Sequence, residues 1–188
     1  MSRRFAFALL AISIPILIIC FWPTPRTIFS TSLTLPELTQ PVSLTLNYPN
    51  RLYRGDADTI ILTLDLDSDS TATSFAATDP KPLATIRVET NSFGVDPRGE
   101  IAQPAARGTT LLWKWKVTAS EEQAGRELTL VLQWRLPAGP DQLLWVRTIQ
   151  IETTSLLGLP ISLVRFSTFT ATLISLILLT LTTRRPKP

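Results

Sequence analysis

The stretch TTLLWKWKVTASEEQAGRELTLVLQWRL, residues 109–136, decides the fold. In it Leu111, Trp113, Trp115 and Val117 alternate with Leu112, Lys114 and Lys116. Further on, Leu128, Leu130, Leu132, Trp134 and Leu136 alternate with Thr129, Val131, Gln133 and Arg135. Successive side chains of a strand point to opposite faces, so strict alternation marks a half-buried strand. The tryptophans fall on the apolar stripes, and Lys114 and Lys116 fall on the opposite, wet face. The pattern predicts two neighbouring strands whose indole rings line a core. A sugar-binding strip would need the rings turned outward, against the alternation.

The same period recurs on both sides of this stretch. It is found in VSLTLNY (42–48), TIILTLDLD (59–67) and ATIRVET (84–90). It is weaker in LLWVRTIQI (143–151), where strict alternation puts Trp145 on one face with Leu143, Arg147, Ile149 and Ile151. One more strand near 28–35 brings the expected number to seven. Between the runs stand PNRLYRGDAD, TDPKP, NSFGVDPRGE, EEQAG and PAGPD, all with turn chemistry. The last of these, 137–141, reads as a hairpin loop. Seven short antiparallel strands in about 125 residues predict a mainly β fold, an immunoglobulin-like antiparallel β-sandwich.

Two stretches carry a resemblance. GDADTIILTLDL (55–66) and WKWKVTASEEQAGRELTLVLQWRL (113–136) resemble the immunoglobulin-like sandwich domains of bacterial surface and membrane-anchored proteins. There a polar-Gly-Asp turn precedes a strand, and a Trp-x-Trp-x-Val…Gly-x-x-Leu hairpin follows. The resemblance covers 55–152, and its motifs describe a fold, not an activity. It implies a disulfide-free member, because the chain has a single cysteine. Such domains mostly serve adhesion, spacing or assembly.

The ends of the chain are of another kind. FAFALLAISIPILIICFW (5–22) and FSTFTATLISLILLTLTT (166–183) are each 18 residues without a charge. At 1.5 Å per residue an 18-residue helix is roughly 27 Å long, close to the hydrocarbon thickness of a bilayer. The first run reads as an uncleaved signal anchor. A cleaved signal would want a small-x-small site, where Cys20-Phe21-Trp22-Pro23 stands, and a lipoprotein signal would want a small residue at Ile19. All fifteen acidic residues lie between Glu37 and Glu152, and residues 23–164 hold twelve basic ones, a net charge of −3. Arg3, Arg4, Arg184, Arg185 and Lys187 flank the apolar runs with no acid near them, which places both ends inside.

The expected organisation is therefore a cytoplasmic tail (1–4), a transmembrane helix (5–22) and an extracytoplasmic sandwich (23–155). An interfacial join (156–165), a second transmembrane helix (166–183) and a second cytoplasmic tail (184–188) complete it. The expected location is the plasma (inner) membrane, crossed twice, with the main domain periplasmic or extracellular. Arg165 is read as a marker of the outer boundary. No N-x-S/T sequon follows any asparagine of the outer segment, which favours a bacterial setting.

Composition narrows the function. With no histidine there is no Ser-His-Asp triad, Cys-His dyad or histidine-ligated zinc. Nothing resembles a phosphate loop or a dinucleotide fingerprint. We expect no enzyme, no catalytic residue, no metal and no small-molecule cofactor. Basic residues flank apolar runs instead of clustering on the body, so nucleic acid is not an expected partner. Asp65, Asp67 and Asp69 have calcium-like spacing, but an EF-hand would want glycine and glutamate where Ser70 and Ala76 stand. Arg54-Gly55-Asp56 spells an adhesion tripeptide, yet Gly-Asp before a strand is ordinary turn chemistry. Ser167, Ala171 and Ser175, four apart, are a candidate helix-packing face.

The expected function is that of a membrane-anchored interaction protein, its partners the lipid bilayer and other membrane protein subunits. A ligand-binding or sensing ectodomain for an envelope polymer or protein is the other expectation, with a patch at 65–79 or 91–107. A reporter fused after Pro188 is expected to stay on the cytoplasmic side, and its appearance outside the cell would overturn the topology.

Overall fold

The structure, a computed structural model, describes residues 3–35, 41–66, 81–106, 108–120, 126–137, 139–156 and 158–183. Asp67, Asp69, residues 121–125 and the basic residues after Thr183 lie outside them. The fold is mainly β, with one apolar helix at each end. One sheet holds β1 (Arg26–Leu33), β2 (Val42–Pro49), β4 (Ala57–Asp65), β8 (Thr110–Ala119) and β6 (Phe93–Asp96), in that spatial order. The other is ordered β3 (Arg51–Tyr53), β10 (Gln142–Thr154), β9 (Arg126–Arg135), β5 (Leu83–Glu89) and β7 (Glu100–Pro104). Neighbours are antiparallel except β3 and β10, which run parallel.

One core lies between the sheets. Leu44, Leu46, Ile60, Leu62, Leu64, Trp113 and Trp115 of the first face Ile86, Leu128, Leu130, Leu132, Trp134 and Ile151 of the second. The period-two stripes are thus the buried sides of their strands, and the three tryptophans are core residues. Their indole N–H groups are buried with no acceptor among the described residues. An unpaired N–H costs about 1–3 kcal/mol. Burying an aromatic ring of roughly 150–250 Å² at about 25 cal/mol per Å² contributes about 4–6 kcal/mol, so burial wins.

Three expectations change. The described residues form ten strands instead of seven, because β3 and β6 sit in segments that read as turns and β7 starts at the last residue of one. They are three to five residues long, near Pro49, Pro97 and Pro104, and each lies at a sheet edge. Short edge strands interrupted by proline leave little periodic signal. Next, β8 and β9 are not neighbours. They belong to opposite sheets, so their tryptophans meet across the core and no hairpin joins them. Last, the register of β10 against β9 shifts between Leu143 and Trp145. This irregularity puts Leu143 opposite Gln133, on the outer face, while Trp145 stays against the core.

The hairpin expected at 137–141 does join β9 to β10. Its ends are tied by Arg135, which donates from Nε to Asp141 Oδ1 at 3.0 Å and from Nη2 to Oδ2 at 2.9 Å.

The helices α1 (Arg3–Phe21) and α2 (Ile161–Thr183) are long and apolar enough to cross a membrane. Both are mostly exposed, unlike the core helix of a soluble domain. Without water a backbone must pair internally, which a helix does everywhere but at its ends. α2 begins at Ile161, taking in residues that the sequence reads as part of a join. Proline fits the start of a helix because its missing N–H is not needed there. Here the Pro160 carbonyl accepts from Leu163 and Val164 N–H at 3.0 and 3.2 Å.

Trp115→Ala is expected to cost about 3–5 kcal/mol of unfolding free energy, measured by denaturant titration. At the hairpin, the hydrogen bond from Arg135 holds the Asp141 carboxyl below its ordinary value and raises Arg135. The pair therefore stabilises the fold fully above the ordinary Asp value of about 3.9, and the contribution fades as pH falls below it. An NMR titration is expected to place Asp141 below that value, and Arg135→Gln is expected to bring it back.

Candidate functional site

Where the helices meet the sheets, one turn carries most of the contacts. Tyr53 ends β3 and Ala57 begins β4, so Arg54, Gly55 and Asp56 must reverse the chain within three residues. Gly55 adopts φ of +78°, a conformation that costs other residues about 1–2 kcal/mol. The Asp56 N–H donates to the Tyr53 carbonyl at 2.9 Å. The backbone of this turn is pinned in three directions. Gly55 N–H donates to the Ala119 carbonyl at 2.8 Å, Arg54 N–H to the Thr154 carbonyl at 2.8 Å, and Ile161 N–H to the Arg54 carbonyl at 2.9 Å. Both sheets and α2 therefore converge on it.

Arg165 completes the junction. Its Nη1 and Nη2 donate to Asp56 Oδ1 and Oδ2 at 3.2 and 2.9 Å, a forked pairing. Its Nε and Nη2 also donate to the Cys20 carbonyl, near the end of α1, at 3.1 and 3.0 Å. That carbonyl lies in the last helical turn, where no further helical N–H follows to take it up. The Phe21 ring lies 5.3 Å from the guanidinium carbon. Below this polar knot a second, small apolar cluster of Cys20, Ile161 and Val164 is flanked by Ile16, Tyr53 and Leu156. One arginine thus joins α1, α2 and the β3–β4 turn. Asp56 is committed to it, which removes the carboxylate that an adhesion tripeptide would offer.

The helices pack on one another. Ala6, Ser13 and Cys20 are the buried residues of α1, spaced by seven. On α2 the buried positions are Ile161, Val164, Thr168 and Ser175. Spacings of three, four and seven place these on single helical faces. The Ser13 and Thr172 hydroxyls meet at 2.9 Å across the pair. Of the three small residues singled out in the sequence, Ser175 is buried, Ala171 half-buried and Ser167 exposed. Ser167 donates to its own helix, at the Val164 carbonyl. Sequence reasoning missed Asp56, Cys20 and Thr168. The seven-residue spacing of Ala6, Ser13 and Cys20 was readable, whereas the partner of Arg165 lies 109 residues away.

Other sequence candidates are not brought together. Asp65 accepts from the Thr110 hydroxyl at 3.3 Å, and Asp67 and Asp69 lie outside the described residues. Within 91–107 an open depression of about 530 Å³ is lined by Gly94, Val95, Asp96, Arg98, Lys116 and Thr118. A second cleft of about 600 Å³ lies between β1, β2 and β10, around the exposed Arg51–Glu152 pair.

No family model matches the chain, and no curated protein matches it. Among solved structures, a conjugative transposon lipoprotein from Bacteroides eggerthii DSM 20697 is similar at 16% identity and a TM-score of 0.30. The match covers 69% of this chain and 98% of that one. A likeness this slight bears on neither fold nor function.

Removing either member of the forked pair should loosen the joint. Asp56→Asn and Arg165→Gln are each expected to cost about 1–3 kcal/mol in thermal or denaturant unfolding of the detergent-solubilised protein. Spin labels at Ile12 and Leu112 should report a broader distance distribution in both variants. Unchanged distributions would mean that the pair does not hold the helices to the sheets.

Proposed function

We propose that the chain is a non-catalytic, membrane-anchored interaction protein, an accessory or assembly subunit that packs on partner membrane proteins. On this reading both helices cross the plasma membrane with the termini inside, and the sheets stand just outside. The observation that carries it is the junction at Arg165. A guanidinium at the head of an apolar helix is bonded to the domain's turn and to the other helix, so the β domain is fixed to its anchor and not tethered by a linker. A fixed domain suits docking on a neighbour embedded in the same bilayer. A capture domain gains reach from a flexible linker. That α1 supplies the Cys20 carbonyl to this junction also favours a retained anchor over a cleaved signal.

We read the β domain as an immunoglobulin-like sandwich. What supports this is the strand order. β2, β4, β8 and β6 run like the A, B, E and D strands of that architecture, and β5, β9 and β10 like C, F and G. The chain passes from β2 to β3 across one residue, Asn50, and changes sheets as it does so. On this reading β1 and β7 are additions at the edges.

The test is gentle detergent extraction of the tagged protein from its native membrane, followed by native mass spectrometry. Co-migration at fixed ratio with larger membrane subunits is the expected result. Recovery as a lone monomer or homo-oligomer would overturn the accessory-subunit reading and leave a sensing ectodomain as the better one.

A further inference from the structure

Strand β10 is 13 residues long, yet β3 pairs only with its last three, Glu152, Thr153 and Thr154. Along Gln142–Ile151 its ladder to β9 is the only one among the described residues. Along the opposite edge of that segment, about 33 Å long, no strand pairs among the described residues. An open edge presents a row of N–H and C=O groups that can take up another strand. Natural edges are blunted by lysine, proline, shortness, bulges or inward-pointing charges. This one is long and has no lysine or proline; its devices are one register shift near its start, between Leu143 and Trp145, and one inward charge, Arg147. Leu143 and Val146 are 62% and 48% exposed on it, beside the half-buried Trp145.

Arg147 gives the edge a charge. Its guanidinium lies 4.1 Å over the Phe29 ring of β1, in the opposite sheet, and pairs with no carboxylate among the described residues. A second copy of the chain is a poor occupant. Antiparallel pairing of β10 with itself about its middle would bring Arg147 beside its own counterpart, and like charges across strands repel.

We propose that the free edge of β10, Gln142–Gln150, takes up an extended segment of a partner protein as an added strand. A carboxylate of that segment lies by Arg147, and its apolar side chains cover Val146 and Leu143. Backbone ladder bonds supply affinity and the alternate side chains supply selectivity. The proposal rests on the accessory-subunit reading and names the surface through which that subunit docks.

The experiment uses the full chain in its native membrane, with a photo-reactive amino acid at Thr148 on β10 and, as a control, at Lys114 on β8. The expected result is a cross-link from position 148, and not from 114, to one protein. Sequencing of the linked peptide should give an extended, alternating segment with an Asp or Glu. Val146→Lys and Leu143→Lys, both at exposed positions, should each reduce that cross-link by about tenfold, the effect of a blocking charge on a strand edge. Arg147→Gln should reduce it less. Cross-links to lipid or to a second copy, a helical linked peptide, or yields unmoved by both lysine variants would overturn the proposal. If native mass spectrometry still finds the larger complex while position 148 stays unlinked, the edge proposal fails and the accessory reading stands. If the chain travels alone, both fail.

Discussion

The forked pairing of Arg165 with Asp56 is the constraint on which the arrangement of this protein turns. A guanidinium in the second turn of an apolar helix is costly unless it is bonded or reaches water. Here it is bonded twice, to a carboxylate of the β domain and to a carbonyl of the other helix. The two groups come from elements far apart in the sequence. Asp56 is placed by a glycine turn between two strands, and Cys20 by the end of α1. Such a pair contributes less as raw stability than as geometry, because desolvation offsets much of the attraction. Its consequence is a defined relation between sheets and helices.

Among the described residues there are two apolar cores. The large one lies between the sheets and is closed by Trp113, Trp115 and Trp134. The small one, Cys20, Ile161 and Val164, lies under the β3–β4 turn and borrows Tyr53 from the sheet side. Continuous side-chain contact therefore runs from the helix pair into the second sheet through β3, which is paired with β10. The same β10 carries the open edge. A partner bound there would sit on the sheet that the junction holds most directly.

Which residues the sheets bury was legible, because period two is a local property of the chain. The stripes from Val42 to Leu136 reappear as the core with no change of face. Which sheet each strand joins was not legible, since alternation labels a face and says nothing of the neighbour. That is why the sequence pattern sets β8 and β9 side by side when they oppose one another. Trp145 shows the limit of strict alternation, for one shift of register moves Leu143 to the other face. The junction was half legible. An arginine beside a long apolar run and an aspartate after a turn glycine are both visible in sequence, but only the fold pairs them across 109 positions.

The protein's single cysteine allows the most direct test of this account. Cys20 packs with Val164 in the small core, so a Val164→Cys variant places two thiols on facing helices. Mild oxidation of that variant in intact membranes is predicted to form a disulfide within one chain, blocking both thiols without a change of mass on a gel. Thiols that remain free, or a covalent dimer of chains, would contradict the junction on which the rest depends.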